Sequence, residues 1–154
     1  MTEPITILLT VENVTAPLAG MLFKELETDL LVRHPKSAHG VPDIQEGTVF
    51  LVAWHSEEPI GCGAIADLGG GIAELKRMFV RTRFRNQGIA RQLLAALEQH
   101  ARDRGYTEIR LETGSRQPEA VKLYESSGYL SIPRFGPYVD DPSSVCYAKS
   151  LIAG

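Results

Sequence analysis

One segment of the chain, residues 80–91, constrains the fold more than any other. Its sequence is V-R-T-R-F-R-N-Q-G-I-A-R, and it lies between an apolar strand-like run and an amphipathic helix. It carries Arg83 and Arg85 and opens the helix with Gly88, whose missing side chain lets a ligand approach the backbone closely. Because a helix N-terminus presents unpaired N–H groups and a partial positive charge, the segment predicts a cradle for a phosphate or pyrophosphate.

Three stretches have the apolar periodicity of amphipathic helices. The clearest, 88–104, has one apolar stripe formed by Ile89, Leu93, Leu97 and Ala101. Gly105 follows it in the position where a glycine commonly ends a helix. Leucine spacing predicts another helix at 14–33, and a proline at a first helical position predicts a short third helix within 118–128.

Seven apolar or alternating runs predict β-strands, and turn residues separate them. The runs are 5–11, 48–54, 60–66, 72–80, 107–113, 129–132 and 145–151. The three glycines at 69–71 predict a flexible break between two of these strands. The resulting order, β-α-β-β-β-α-β-α-β-β, predicts an α/β fold with a mixed sheet and helices on both faces.

Composition is that of an ordinary single-domain protein. A chain of 154 residues with 44% apolar and 23% charged residues can bury a core of its own. The net charge of −3 argues against a nucleic-acid partner, and the sequence has no apolar run long enough to span a membrane. Residues 1–6 do not resemble a secretory signal, so a cytoplasmic protein is predicted. Cys62 and Cys146 are predicted to be reduced, and no cysteine or histidine spacing matches a metal site.

Three motifs together resemble the GNAT N-acetyltransferase superfamily, which transfers acyl groups from acyl-coenzyme A. Residues 85–90, R-N-Q-G-I-A, are similar to the family's pyrophosphate signature of Arg or Gln, two residues, Gly, one residue, and Gly or Ala. Residues 74–80 look like its fourth strand, and 117–129 look like its second motif, with Gln117 in place of the usual Asn. The resemblance implies a single N-acetyltransferase domain over 1–154, built on a twisted, mostly antiparallel sheet of about seven strands.

The same resemblance implies that acetyl-CoA is the cosubstrate. Its pantetheine arm would pair with the backbone of Met78 and Val80, and its pyrophosphate would rest on backbone amides at 87–91, with Arg85 nearby. The positions that match the family's cosubstrate site are Met78, Phe79, Val80, Arg85, Asn86, Gln87, Gly88, Ile89, Ala90, Arg91, Gln117 and Ala120. For any single motif, the alternative is a helix N-terminus whose glycine serves packing alone.

Tyr124 is the candidate general acid for the departing thiolate, because it lies seven residues after Gln117 in the second motif. A hydrogen bond from its hydroxyl to the sulfur would help even without full proton transfer. The alternative is a core aromatic residue on a helix face. Tyr138 is a second candidate for the acid.

Glu74 is the candidate general base, acting on the acceptor amine through a water molecule. Regular strand alternation would place on one face Ile72, Glu74, Lys76 and Met78. The cation of Lys76 would weaken Glu74 as a base. A plain Glu74–Lys76 surface pair is therefore an equal alternative.

The acceptor is expected to be a primary amine on a small or amino-acid-like molecule. Residues after the first helix often line the acceptor pocket in this family, so Arg33 and His34, with Tyr138, are candidates for binding it. An exposed loop arginine is the simpler explanation of Arg33. Two other functions remain open: a non-catalytic acyl-CoA-binding module, and acetylation of protein or peptide amines. The resemblance also allows a homodimer.

Overall fold

The computed structural model describes residues 6–13, 17–33, 47–115 and 117–152. The strands are β1 (Leu8–Glu12), β2 (Val49–His55), β3 (Glu58–Gly69), β4 (Ile72–Val80), β5 (Glu108–Gly114), β6 (Leu130–Ile132) and β7 (Ser144–Ser150). The helices are α1 (Pro17–Arg33), α2 (Ile89–Asp103) and α3 (Pro118–Ser126), and short 3₁₀ turns lie at Thr82–Phe84 and Gly136–Tyr138. This order confirms the predicted succession of strands and helices.

The strands form one sheet in the order β1-β2-β3-β4-β5-β7-β6. Its neighbours pair antiparallel except β4 and β5, which are parallel. The predicted mixed, mostly antiparallel sheet is therefore confirmed. The glycines at 69–71 do not form a flexible break. They make a tight turn between β3 and β4, in which the Asp67 carboxylate accepts a hydrogen bond of 2.7 Å from the N–H of Gly69.

Helices cover both faces of the sheet, as predicted. Leu93 and Leu97 of α2 and Tyr124 of α3 are buried against one face. Ala19 and Leu22 of α1 are buried against the other, in a cluster with Phe50, Val52, Cys62, Ala64 and Phe79. We call these the α2 face and the α1 face. The sheet therefore separates two clusters of buried side chains, one on each face.

Strands β4 and β5 pair over a short length and then part. Their paired residues are Ile72 with Glu108, Ala73 with Ile109, and Glu74 with Arg110. Beyond this point β4 continues beside β3 as far as Val80, while β5 continues beside β7 as far as Gly114. We call the opening between 75–80 and 111–114 the wedge. It leaves backbone groups along β4 available to another extended molecule.

A β-bulge in β4 lies beside the wedge. Cys62 is paired with Phe79 and Ala64 with Lys76, so Gly63 alone opposes the two residues 77 and 78. The backbone of Arg77 is left-handed, with φ of 62°, which is the conformation of the first residue in one common bulge type. A bulged strand bends and twists more strongly, which suits the separation of β4 from β5.

The bulge corrects one expectation from the sequence. Ala73, Leu75 and Met78 all pack into the α2-face core, whereas Glu74 lies between the first two and points to the α1 face. The prediction that Met78 shares a face with Glu74 and Lys76 is wrong. Arg77 takes up one residue of chain without advancing the alternation, so the side chains after it change faces.

Two residues of β3, Gly63 and Cys62, accommodate this bulge. A Cβ atom at Gly63 would lie 2.5 Å from Sδ of Met78, so the glycine provides the space that the Met78 side chain fills. The thiol of Cys62 donates a hydrogen bond of 3.3 Å to the carbonyl oxygen of Arg77. Burial raises the pKa of Cys62 to about 12, so the thiol keeps the proton that it donates.

Candidate active site

The start of α2 presents unpaired backbone N–H groups. Gly88 occupies the cap position with φ of 79°, and no side chain caps the helix. The first helical hydrogen bond, 3.1 Å long, runs from the N–H of Gln92 to the carbonyl of Gly88, so residues 89–91 have no intrahelical acceptor for their N–H groups. Apart from its chain neighbours and its own helix, no described residue has an atom within 4 Å of the position that a Cβ of Gly88 would occupy. This open helix end fits an anion such as a pyrophosphate.

Arg83 and Arg85, which precede this helix, contact other residues of the protein. The guanidinium of Arg83 forms an ion pair with Glu58. Nε of Arg85 donates a hydrogen bond of 2.8 Å to the carbonyl of Val80, and its guanidinium lies 5.8 Å from the centre of the Phe79 ring. Arg85 therefore fastens the loop to the end of β4, and the donors left for an anion are mainly backbone N–H groups.

The edge of β4 that faces the wedge starts at Val80. The N–H of Arg81 donates to the carbonyl of Ile60 on β3 over 2.8 Å. Because backbone groups alternate along a strand, the N–H and C=O of Val80 point away from β3, and this C=O accepts the hydrogen bond from Arg85. Val80 is one of the two residues whose backbone the family resemblance assigns to the pantetheine arm; the other, Met78, lies in the bulge.

Tyr124 lies on the α2 face of the sheet, within the core. Its side chain is buried, its ring lies edge-on to that of Tyr129 with 5.8 Å between the centres, and its hydroxyl has no hydrogen-bond partner within the described residues. Burial, and secondly the negative charge of Glu112, raise the pKa of Tyr124. The hydroxyl therefore stays protonated and can donate a hydrogen bond, while its raised pKa makes full proton transfer to a thiolate less favourable.

The cap of α3 lies close to the end of β5. Gln117 is the cap residue, and a Cβ at Gly114 would lie 3.2 Å from its Nε2 atom. Ala120, one turn into the helix, packs partly buried against the α2-face core. The second motif thus places Gln117, Ala120 and Tyr124 along the helix that borders β5, which is the far side of the wedge from Met78 and Val80.

Glu74, Lys76 and Tyr138 form a group that we call the Glu74 triad. The hydroxyl of Tyr138 donates a hydrogen bond of 2.8 Å to Oε2 of Glu74, and Nζ of Lys76 lies 3.4 Å from Oε1. The Glu74 side chain is only 6% exposed, so the pair is not the plain surface pair considered above. Burial and the hydrogen bond to Glu74 raise the pKa of Tyr138, which keeps the phenol neutral and directed at the carboxylate.

A second group of the same composition, the Glu98 triad, lies away from the wedge. The hydroxyl of Tyr129 donates to Oε2 of Glu98 over 2.8 Å, and Nζ of Lys149 donates to Oε1 over 3.0 Å. The ammonium of Lys149 also lies 5.6 Å from the centre of the Tyr129 ring. This triad joins α2, the residue before β6, and β7, so its contacts connect three elements of the fold.

Glu112 is a residue that the sequence analysis missed. It lies on β5 two residues beyond Arg110, the partner of Glu74, and the hydroxyl of Ser144 donates to it over 2.6 Å. Its charge contributes to the raised pKa of both Tyr124 and Tyr138. The available signal was the alternation of β5, which puts Arg110 and Glu112 on one face.

Two predicted acceptor residues cannot be placed. His34 lies outside the described residues, and so does the side chain of Arg33, the last residue of α1. The third, Tyr138, lies at Glu74 as stated above. Within the described residues, the candidates for binding the acceptor are therefore those of the Glu74 triad together with Glu112 and Arg110.

Comparison with known proteins identifies the family. The model described as the acetyltransferase (GNAT) family matches residues 20–129. The chain is 39% identical over 135 residues to the IAA acetyltransferase of Azospirillum brasilense, covering 84% of this chain and 88% of that protein. A Klebsiella pneumoniae structure assigned to the acyl-CoA N-acyltransferases has a TM-score of 0.82 and 32% identity, covering 95% of this chain and 98% of that one.

A more distant structure shares the fold and contains the cosubstrate's carrier. The PaiA N-acetyltransferase of Thermoplasma acidophilum, solved in complex with coenzyme A, has a TM-score of 0.73 at 15% identity and covers 95% of this chain and 99% of that one. The chain belongs to the GNAT family of acetyltransferases. It is an acetyl-CoA-dependent N-acetyltransferase, which confirms the enzyme class and the cosubstrate expected from the sequence.

Proposed function

We propose that this enzyme transfers the acetyl group to a primary amine of a small or amino-acid-like molecule, by direct attack of the amine on the thioester. The observation that carries the proposal is the arrangement around the wedge. Glu74 lies on the α1 face at the last β4–β5 pair, and Tyr124, whose hydroxyl has no partner within the described residues, is buried on the α2 face. A candidate proton acceptor and a candidate proton donor thus lie on opposite faces of one sheet.

Acetyl-CoA supplies the acetyl group as a thioester, and the residues that would hold it follow from the open backbone groups. The N–H groups at the start of α2 would bind the pyrophosphate, with Gly88 allowing its approach. The backbone of Met78 and Val80 would bind the pantetheine arm along the wedge. Gln117 and Ala120 would border the arm from α3.

The proton transfers use residues of this chain on each side. Glu74 takes a proton from the acceptor amine through a water molecule, so that the nitrogen attacks with a free lone pair. Tyr124 donates its hydroxyl proton, or a hydrogen bond, to the departing sulfur. Glu112 is a second candidate for the base, because it lies on β5 two residues beyond Arg110, the partner of Glu74, and on the same face of the strand.

The burial of Glu74 supports an acceptor with an uncrowded primary amine. Only 6% of its side chain is exposed, and Tyr138 is hydrogen-bonded to the carboxylate. A primary amine has room to approach such a group, whereas a secondary or tertiary nitrogen has less. Small primary amines and amino acids meet this requirement.

The test is release of coenzyme A thiol from acetyl-CoA with three sets of acceptors: small primary amines, amino acids, and peptides. We expect thiol release that depends on acceptors from the first two sets, with mass spectrometry showing the acetylated amine. Transfer to peptides alone would overturn the proposal in favour of protein acetylation. Thiol release that no amine accelerates would exclude amine transfer altogether.

A further inference from the structure

Lys76 carries a charge that its surroundings satisfy only in part. Its side chain is 25% exposed, and within the described residues its one partner is Glu74, at 3.4 Å and without a hydrogen bond. Lys149 of the Glu98 triad is 26% exposed, yet it donates a hydrogen bond of 3.0 Å to Glu98 and also lies over the Tyr129 ring. An ammonium group has three donors, so Lys76 retains donors for a ligand.

Lys76 also lies where an acceptor must bind. It is two residues beyond Glu74 on the α1 face, and the β4–β5 pairing ends at Glu74. The neighbouring cation on β5, Arg110, is ion-paired with Glu108 and stacked 5.9 Å from the centre of the Phe135 ring. Of these two cations, Lys76 is the one that makes no hydrogen bond within the described residues, whereas Arg110 is oriented by both Glu108 and Phe135.

We infer that the acceptor carries a free carboxylate beside its amine, and that Lys76 binds this carboxylate while Glu74 faces the amine. The inference rests on the proposed amine acetylation and narrows its substrate class to α-amino acids and their side-chain derivatives. The Lys76 and Glu74 charges are 3.4 Å apart, so the two charges of the acceptor must be close neighbours. An α-amino acid bears its amino and carboxylate groups on one carbon atom, which meets this condition.

The charges of the two partners are then complementary. The ammonium of the acceptor pairs with the Glu74 carboxylate, and the acceptor carboxylate pairs with the Lys76 ammonium. A simple amine supplies only the first of these contacts. Binding of an amino acid therefore leaves neither Glu74 nor Lys76 with an unsatisfied charge, whereas a simple amine leaves Lys76 with spare donors.

The experiment compares amino acids with their decarboxylated counterparts: phenylalanine with phenethylamine, tryptophan with tryptamine, and histidine with histamine. Initial rates of thiol release give kcat/KM for each member of a pair. We expect the amino acid to exceed its amine by at least about tenfold. Lys76→Gln is expected to lower kcat/KM for the amino acid relative to its amine and so to remove most of the preference, and Lys76→Arg to restore most of it.

Lys149→Gln is the matched control, because it removes the same type of ion pair at similar burial from the other triad. It should leave the ratio of amino acid to amine unchanged. Calorimetry should show that Lys76→Gln binds coenzyme A with the same affinity as the wild-type protein. Equal rates with amino acids and amines, or a ratio that Lys76→Gln does not alter, would overturn the inference and leave amine acetylation intact. Absence of transfer to every member of the panel would overturn both.

Discussion

The Glu74 and Glu98 triads contain the same three residue types in nearly the same geometry. In each, a tyrosine hydroxyl donates to the carboxylate over 2.8 Å, and a partly buried lysine pairs with its other oxygen. The Glu98 triad draws its members from three elements, and its lysine is held by both the carboxylate and the ring. The Glu74 triad lies at the opening of the wedge and holds its lysine loosely. The two triads thus differ in position and in the hydrogen bonds that the lysine makes, not in composition, and we expect the Glu74 triad to serve the reaction and the Glu98 triad to be a structural brace.

Replacing the two carboxylates should break the comparison most sharply. Glu74→Gln is expected to lower kcat/KM by about 10³-fold, because it keeps the shape of the side chain and removes the base. The loss should be greatest at low pH, where the acceptor amine is mostly protonated, and should shrink as the pH rises toward the pKa of the amine. A pH–rate profile of the variant with any accepted amine measures this.

Glu98→Gln is the counterpart of that variant. It leaves Lys149 without its anion in the fold and should lower the free energy of unfolding by about 2 kcal/mol. Its kcat/KM should stay close to wild type. If Glu98→Gln lost activity as strongly as Glu74→Gln at equal stability, the division between site and brace would be wrong.

Tyr124 links the two regions, since its ring contacts Tyr129 of the brace and the charge of Glu112 raises its pKa. Tyr124→Phe keeps the ring contact and removes only the unpartnered hydroxyl. We expect kcat to fall by about 10²-fold, with unchanged coenzyme A affinity in calorimetry and unchanged thermal stability. A large loss of stability with normal kcat would make Tyr124 part of the brace.

Removing the tyrosine hydroxyl from each triad should produce smaller effects, on stability for the Glu98 triad and on acceptor binding for the Glu74 triad. Tyr129→Phe leaves Glu98 with one hydrogen bond fewer and should destabilise the fold by about 1.5 kcal/mol, seen as a lower Tm. Tyr138→Phe should leave Tm nearly unchanged and alter the acceptor KM by less than about tenfold. The two variants differ from each other in one measurement of stability and one of kinetics.

The smallest effect is on alkaline stability. Burial, and then Glu98, raise the pKa of Tyr129 above the value of about 10 for a tyrosine in the unfolded chain. Above that pH the unfolded state has lost a proton that the folded state retains, so the stabilisation is fully present below about pH 10 and is lost as the pH rises. Tm measured from about pH 9 to about pH 11 should therefore fall less steeply in Tyr129→Phe than in wild type.

Local signals in the sequence sufficed for the elements of the fold. The apolar stripe of α2 and its end before Gly105 depend on residues within a few turns of one another. The helix predicted over 88–104 is observed as Ile89–Asp103, with Gly88 and Arg104 as its cap residues. The cap at Gly88 and the burial of Tyr124 also follow from nearby residues. Such features are predictable because their causes lie close along the chain.

The triads were not predictable in the same way. Tyr138 and Glu74 are 64 residues apart, and Tyr129 and Glu98 are 31 apart, so no local pattern joins them. The bulge was missed because Arg77, rather than a glycine, adopts the left-handed conformation. Its one sequence trace is Gly63 on the facing strand, which has meaning only once the register is known.

The bulge also has a consequence for chain length. Arg77 is the surplus residue of β4: without it, Lys76, Met78, Phe79 and Val80 would still alternate between the same two faces. Deleting it would therefore give a regular, straighter strand with its core contacts preserved, lying nearer to β5. Such a shortened protein should fold and yet lose its affinity for coenzyme A, which means that a single inserted residue separates a closed sheet from an enzyme.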